Sequence, residues 1–140
     1  TQASGRSSLP ASVAMDFIWG VGIESSTLPH LGVDQFDWTQ HNRFWREDLK
    51  LIREGLGVRH LRYAIPWHYV QKDRDTFDWS VADERIEACR DLGIELMLDV
   101  MHFGTPQWLP QAVGDPEFPE ALETYAAAIV ERYRGVVSTW

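Results

Sequence analysis

Four short apolar segments recur along the chain, each built from residue types that favour β-strands. They cover residues 17–23, 58–65, 94–100 and 136–140. The third segment alternates apolar with other residues, which predicts a strand with one buried face. That face is predicted to contain Ile94, Leu96, Leu98 and Val100. Polar and aromatic residues follow each of the first three segments, so the loops after the strands are expected to carry the chemistry.

Three helical patterns separate the predicted strands. They cover residues 42–56, 80–93 and 120–133, and either Asp78 or Ser80 can open the second. Asn42 is predicted to cap the first helix, and residues 24–40 are predicted to form a long loop. The apolar residues recur at helical spacing. The predicted inner faces are Trp45, Leu49, Ile52 and Leu56; Ala82, Ile86 and Cys89; and Leu122, Ala126, Ile129 and Tyr133.

The order of these elements, β-α-β-α-β-α-β, predicts an α/β fold. Successive strands begin about 36–42 residues apart, as in consecutive βα units. A complete (β/α)8 TIM barrel needs roughly 250 residues, so 140 residues supply about half of one. We therefore expect a partial barrel: the first three βα units and the start of strand four. Residues 1–12 are predicted to be a flexible leader, and residues 13–140 the incomplete barrel domain. An open sheet of this kind is expected to expose its edge strands and an apolar inner face.

Composition narrows the class of protein. The net charge of −8 argues against binding to nucleic acid or to an anionic membrane. No apolar run approaches the ~18 residues of a membrane span, and a cytoplasmic location is expected. The single cysteine, Cys89, has no partner for a disulfide or a metal site and is interpreted as a core residue. No metal or cofactor is expected.

Several segments, in order along the chain, match motifs of one protein family. They are Phe17-Ile18-Trp19-Gly20, residues 43–63, Leu61-Arg62-Tyr63-Ala64-Ile65-Pro66-Trp67, residues 102–109 and residues 125–133. Together they resemble the N-terminal part of glycoside hydrolase family 1, the β-glucosidase family. That family's Gln-x-Glu-Gly motif is missing after the first strand, where Thr27 stands at the glutamine's position. This departure points to a divergent bacterial branch.

The resemblance implies roles for several residues. Arg62 matches the arginine that supports the nucleophilic carboxylate, and His102 matches a sugar-binding histidine. Trp67 and Phe103 are expected to line the pocket as apolar walls. Glu24 is the nearest polar candidate after the first strand and is included in the predicted substrate-binding set. No partner for Arg62 is evident in the sequence, which suggests a partner on a strand outside it.

The catalytic pair is not evident in the sequence. Retaining glycosidases need two carboxyl groups about 5–5.5 Å apart. The family places them after strands four and seven, so no catalytic residue is expected in this chain. Glu95 and Asp99 lie on strand three and are interpreted as structural or supporting residues. The predicted function is a retaining β-glycosidase that acts on β-glucosides or β-galactosides once its barrel is complete, while the 140 residues alone are expected to be inactive.

Two alternatives remain open at this point. One is a non-catalytic carbohydrate-binding or pseudo-enzyme barrel, which the missing glutamine motif favours. The other is a half-barrel that acts through association. The expected partners are therefore a carbohydrate and either the remainder of the barrel or a second copy of the chain.

Overall fold

The structure is a computed structural model that describes residues 17–140. Its centre is a parallel sheet. The predicted leader, residues 1–12, lies outside the described residues. The elements in chain order are β1 (Gly20–Gly22), β2 (Thr27–Leu28), β3 (Val33–Asp34), α1 (Gln35–Trp38), α2 (His41–Lys50), a π-helical turn (Leu51–Gly55), β4 (His60–Ala64), α3 (Trp67–Val70), α4 (Ser80–Asp91), β5 (Glu95–Asp99) and α5 (Phe118–Arg132).

The three predicted strands pair in parallel, in the spatial order β1-β4-β5. Each is shorter than its apolar segment. Gly22 pairs with Arg62, and Arg62 pairs in turn with Met97. Strands adjacent in sequence are adjacent in space and joined by helical connections, which is the arrangement of consecutive βα units.

The predicted fourth strand is represented by a single bridge. Thr139 pairs in parallel with Met97, and the Leu98 N–H donates a hydrogen bond of 3.0 Å to the Thr139 carbonyl. The chain therefore returns to the free edge of β5 after α5, on the side where the predicted order places strand four.

The core lies on the face of the sheet that the helices cover. Leu61, Leu96 and Leu98 are buried there, as the alternation in the third segment predicts. The predicted inner residues Leu49 of α2, Cys89 of α4 and Ile129 of α5 are buried as well. A group of aromatic rings joins α5 to the loops before α4: Trp67 stacks on Tyr125 with centroids 5.0 Å apart and planes 12° apart, and Trp79 stacks on the same tyrosine.

The opposite face of the sheet is polar, so the prediction of an exposed apolar inner face is wrong. His60, Arg62 and Glu95 lie on it together with Met97, and the two glycines of β1 add no side chain. In parallel strands successive side chains point to opposite faces. The residues that alternate with the buried leucines of β4 and β5 are His60, Arg62, Glu95 and Met97, so most of the side chains on the open face are polar.

The predicted loop of residues 24–40 contains structure of its own. Residues 27–28 and 33–34 form an antiparallel pair, and the short helix α1 follows directly. The Asp34 carboxylate caps α1 by accepting a hydrogen bond of 2.9 Å from the Phe36 N–H. Because Phe36 is fully buried, it anchors this segment against the core. The predicted long loop therefore contains two short strands and a helical turn that the sequence pattern did not predict.

Two details of the first long helix also differ from the prediction. The helix begins at His41, and Asn42 does not cap it. Asn42 instead donates to the Asp37 carboxylate and the Tyr69 hydroxyl, and accepts a hydrogen bond from Arg85. Leu56 is 61% exposed rather than part of the inner face. Its N–H bonds to the Leu51 carbonyl five residues back, and this wider π-helical turn carries Leu56 off the 3.6-residue repeat.

Cys89 is fully buried on α4, and burial raises the pKa of its thiol to about 12. Only the thiolate reacts, so we expect the folded protein to react with a thiol reagent at pH 8 at least about 100-fold more slowly than the unfolded chain. Absorbance with an aromatic disulfide reagent, with and without urea, measures this ratio. Equal rates in the two conditions would contradict the burial of Cys89.

Candidate functional site

Four polar side chains meet where the strands of the sheet end. Glu24 follows β1, Arg62 lies in β4, Asp99 is the last residue of β5, and His102 lies three residues beyond it. The carboxyl ends of parallel strands lie at one edge of the sheet, and loops there carry the active sites of (β/α)8 barrels. We call these four residues the strand-end cluster.

Asp99 connects the two basic members of the cluster. Arg62 Nε donates to Asp99 Oδ1 at 3.2 Å, and Arg62 Nη2 lies 2.8 Å from Asp99 Oδ2. The same Oδ2 lies 3.0 Å from Nδ1 of His102, and Nη2 of Arg62 is 3.1 Å from that nitrogen. Arg62 therefore has a partner on the neighbouring strand, within the described residues, contrary to the suggestion that its partner lies outside the sequence.

Glu24 closes the cluster on the other side of the imidazole. Its Oε1 lies 2.5 Å from Nε2 of His102 and accepts a hydrogen bond of 3.0 Å from the Ser26 hydroxyl. The loop after β1 and the loop after β5 are thus joined through one histidine ring. Because Glu24 is half-exposed, its second oxygen remains open to a ligand.

The hydrogen bonds from Ser26 and His102 hold the pKa of Glu24 below its ordinary value. A lowered carboxyl pKa means that the fold favours the ionised form. The contribution of the ionised Glu24 carboxylate to the free energy of folding is complete above the ordinary pKa of about 4.3, and it is lost as the pH falls below that value. We expect a carbon-13 titration of the Glu24 carboxyl to show a midpoint below about 4.3, and Ser26→Ala to raise it. A wild-type midpoint at or above the ordinary value would contradict the geometry.

Phe103 lies beside His102 and is largely open to solvent. The two rings meet edge to face, with centroids 5.0 Å apart, and 61% of Phe103 is exposed. Its φ of +64° is uncommon for a residue with a bulky side chain. The Phe103 ring thus offers an apolar surface next to the cluster, and its role as a pocket wall stays a prediction.

Trp67 lies elsewhere, and its predicted role as a pocket wall is not supported. Only 1% of it is exposed, one of its faces is stacked on Tyr125, and its indole N–H donates to the Gln71 side chain at 2.7 Å. Trp67 follows Pro66 into the short helix α3, which turns it into the core. Its ring has no surface open to a sugar in this arrangement.

The loop that carries His102 lies close to the first loop. At Gly104, an added Cβ would come within 2.3 Å of the Thr27 hydroxyl and 3.0 Å of the Thr27 carbonyl. Thr27 is itself buried. The residue at the position of the family 1 glutamine is therefore packed beneath the loop rather than presented to a ligand, and Glu24 is the side chain that faces His102.

The sequence predicts that Asp99 is a structural or supporting residue, and its contacts with both Arg62 and His102 are those of a supporting residue. The alternation of β5 indicates the side of the sheet on which Asp99 lies, because Glu95, Met97 and Asp99 face away from the buried leucines.

Across the described residues 17–140, no group of three or more His, Cys, Asp or Glu side chains is arranged to hold a metal ion. In that same part of the chain, no helix has both the length and the apolar character needed to cross a membrane.

Solved structures share this architecture. A β-glycosidase named BGL167 superposes with a TM-score of 0.67 at 23% identity, covering 89% of this chain and 35% of that one. A family 1 β-glucosidase from Thermotoga maritima superposes with a TM-score of 0.62 at 22% identity, over 71% of this chain and 24% of that one. The fold is thus part of a (β/α)8 TIM barrel of the kind found in glycoside hydrolases.

The family itself is shown by sequence. The β-galactosidase family model, glycoside hydrolase family 42, matches residues 35–133, and the chain belongs to this family. An endo-1,4-β-xylanase from Gibberella zeae is similar as well, 26% identical over 80 residues that make up 55% of this chain and 23% of that protein. The chain therefore spans about a quarter of the length of this curated relative. The likeness to family 1, on which the motifs were first interpreted, is at this level of identity a likeness of fold.

Proposed function

We propose that this chain provides the first strands and part of the sugar pocket of a retaining β-glycosidase that acts on β-galactosides or β-glucosides. The observation that carries the proposal is the strand-end cluster, in which residues from three adjacent strands or their loops meet at the edge where barrel enzymes bind substrate. Membership of the β-galactosidase family supports the choice of substrate class.

Each member of the cluster has a proposed role. Arg62 uses Nε and Nη2 to bind Asp99, which leaves Nη1 to support a carboxylate from another strand, as the family 1 resemblance implies. Glu24 accepts hydrogen bonds from sugar hydroxyls, because an ionised carboxylate is an acceptor with two oxygens. His102 orients Glu24 and offers its ring edge to the same sugar, while Phe103 packs against an apolar face of the substrate.

The catalytic carboxylates of the proposed reaction are not Glu24 and Asp99. A retaining mechanism needs one protonated acid and one free nucleophile. The Glu24 carboxylate is held by Nε2 of His102 and the Asp99 carboxylate by the Arg62 guanidinium, so neither is free to attack an anomeric carbon. We infer that the acid and the nucleophile come from other strands and that the 140 residues alone bind sugar without cleaving it.

The test uses the complete protein that carries this chain, with aryl β-galactoside and aryl β-glucoside as substrates. We expect release of the aryl alcohol, and a fall of about 10–100-fold in kcat/KM for His102→Ala, as for the loss of a hydrogen bond to a charged group. His60→Ala, on the same face of the sheet but at the amino end of β4, is the matched control and should retain activity.

Other outcomes separate the alternatives. Sugar binding without turnover in the complete protein would support a non-catalytic carbohydrate-binding barrel instead. Neither binding nor turnover, together with concentration-dependent dimerisation of the 140-residue chain in size-exclusion chromatography, would support a half-barrel that acts by association.

A further inference from the structure

We propose that Asp99 is the positioning residue of this site, holding the Arg62 guanidinium and the His102 imidazole in one fixed arrangement. This inference rests on the proposed sugar site, because it assigns how that site is kept in order. Asp99 is the one residue of the strand-end cluster that contacts both basic side chains with charge-bearing oxygens. It lies at the end of β5, where the regular backbone of the strand fixes its Cβ direction.

The exposure of the Arg62–Asp99 pair indicates geometry rather than stability as its role. The Arg62 side chain is 47% exposed and that of Asp99 is 21% exposed. Exposed ion pairs contribute little to the free energy of folding, because water solvates the separated charges almost as well. The contact uses two oxygens and two nitrogens, however, and such paired contacts define orientation as well as distance.

The donors and acceptors around His102 determine where its proton lies. The ionised Glu24 carboxylate can only accept, so Nε2 carries a proton and donates to it. Arg62 can only donate, so a neutral His102 accepts from Nη2 of Arg62 at Nδ1. A doubly protonated ring would instead donate from Nδ1 to Asp99. In both states the Nε2 proton stays on the side of Glu24, and Asp99 fixes the guanidinium and the ring so that Nδ1 always has a partner.

These contacts predict which ring nitrogen of His102 carries the proton. The ring is held as the Nε2–H form whenever it is neutral, and removing Asp99 releases both the ring and the guanidinium. An asparagine at position 99 keeps one acceptor oxygen for Nε of Arg62. It replaces the second oxygen, which contacts both Nη2 of Arg62 and Nδ1 of His102, with an amide group that can only donate. A merely structural role for Asp99 would leave the Nδ1 signal of the ring unchanged.

The test compares Asp99→Asn and Asp99→Ala with the matched control Glu95→Gln. Glu95 lies on the same face of the same strand, where its contact with His60 spans 3.7 Å. Nitrogen-15 spectra of protein labelled at histidine report the protonation of each imidazole nitrogen, and His102→Gln assigns the signals among the five histidines. Affinity for methyl β-galactoside is measured on the same samples by calorimetry.

We expect the wild type and Glu95→Gln to show the Nε2–H form of His102. In Asp99→Ala, Glu24 still accepts from Nε2 of His102, but Arg62 is no longer held beside Nδ1. The Nδ1 signal should therefore shift toward that of a nitrogen without a donor, and the affinity for methyl β-galactoside should fall at least tenfold. Asp99→Asn should lie between the two. Unchanged His102 signals in Asp99→Ala would overturn the inference. If the wild type itself binds no sugar, the proposed function fails, while the histidine spectra still decide the role of Asp99.

Discussion

Replacing Arg62 with methionine is expected to lower kcat of the complete protein on aryl β-galactosides by about 10²–10³-fold, the loss typical of removing one preorganised donor at a site of developing charge. Methionine keeps much of the length and the apolar stem of arginine but removes the guanidinium. The proposal makes that group responsible for supporting a carboxylate near the reacting bond. Steady-state kinetics measure the effect.

The same substitution should hardly change stability. The Arg62–Asp99 pair is partly exposed, so its removal is expected to change the free energy of unfolding by less than about 1 kcal/mol. Arg46→Met is the matched control, because Arg46 forms an exposed ion pair with Glu84 at 3.2 Å on the helical side of the fold. Equal activities for Arg62→Met and Arg46→Met would remove Arg62 from the proposed site, whatever their stabilities.

Gly104→Ala is expected to destabilise the protein by about 1–3 kcal/mol, the usual cost of forcing a methyl group into a packed region. The new Cβ would lie 2.3 Å from the Thr27 hydroxyl and 3.0 Å from its carbonyl oxygen. The hydroxyl alone could rotate away, but the carbonyl belongs to the backbone of β2. The loop of residues 102–105 must therefore move, and Phe103 and His102 move with it. Urea unfolding measures the loss of stability.

The matched control for this prediction is Gly114→Ala. Nothing lies within 4 Å of a Cβ added at Gly114, so this change should cost far less. We also expect Gly104→Ala, but not Gly114→Ala, to weaken the contact between His102 and Glu24, visible as a higher pKa of the Glu24 carboxyl. A Gly104→Ala variant as stable as Gly114→Ala would show that the two loops are not packed as described.

Most of the regular helices and strands could be predicted from the pattern of apolar residues in the sequence. A short run of strand-forming residues located β4, and apolar alternation located β5. Apolar residues at helical spacing located α4 and α5, because each of these helices buries one face. Where the prediction was wrong, a local bond replaced the expected pattern. Leu56 leaves the inner face because a π-helical turn interrupts the repeat, and the segment after Glu24 is structured because Asp34 caps α1 and Phe36 is buried.

The residues of the candidate site could be predicted only in part. The sequence-predicted residues Arg62, His102 and Glu24 do meet. Glu24 and His102 follow parallel strands, and Arg62 lies in the middle of β4, on the face that these loops border. The position of Trp67 after a strand predicts a place in the pocket. The direction of its ring depends instead on the short helix α3, which no pattern in the sequence predicts. The partners of Asp99 could not be predicted for a related reason: they lie 37 and 3 residues away, and pairing across strands depends on register.

The most direct measurement of the central claim is a titration of the nitrogen-15-labelled protein with methyl β-galactoside, followed by amide and side-chain spectra. Our account predicts saturable shifts at Glu24, Arg62, His102 and Phe103. No comparable shifts are expected around Asp83 and Arg132, which pair with each other on the helical side of the fold. Saturable shifts confined to the helical side, or the same shifts at the strand-end cluster in a His102→Ala, Glu24→Gln double variant, would contradict a sugar site at the strand ends.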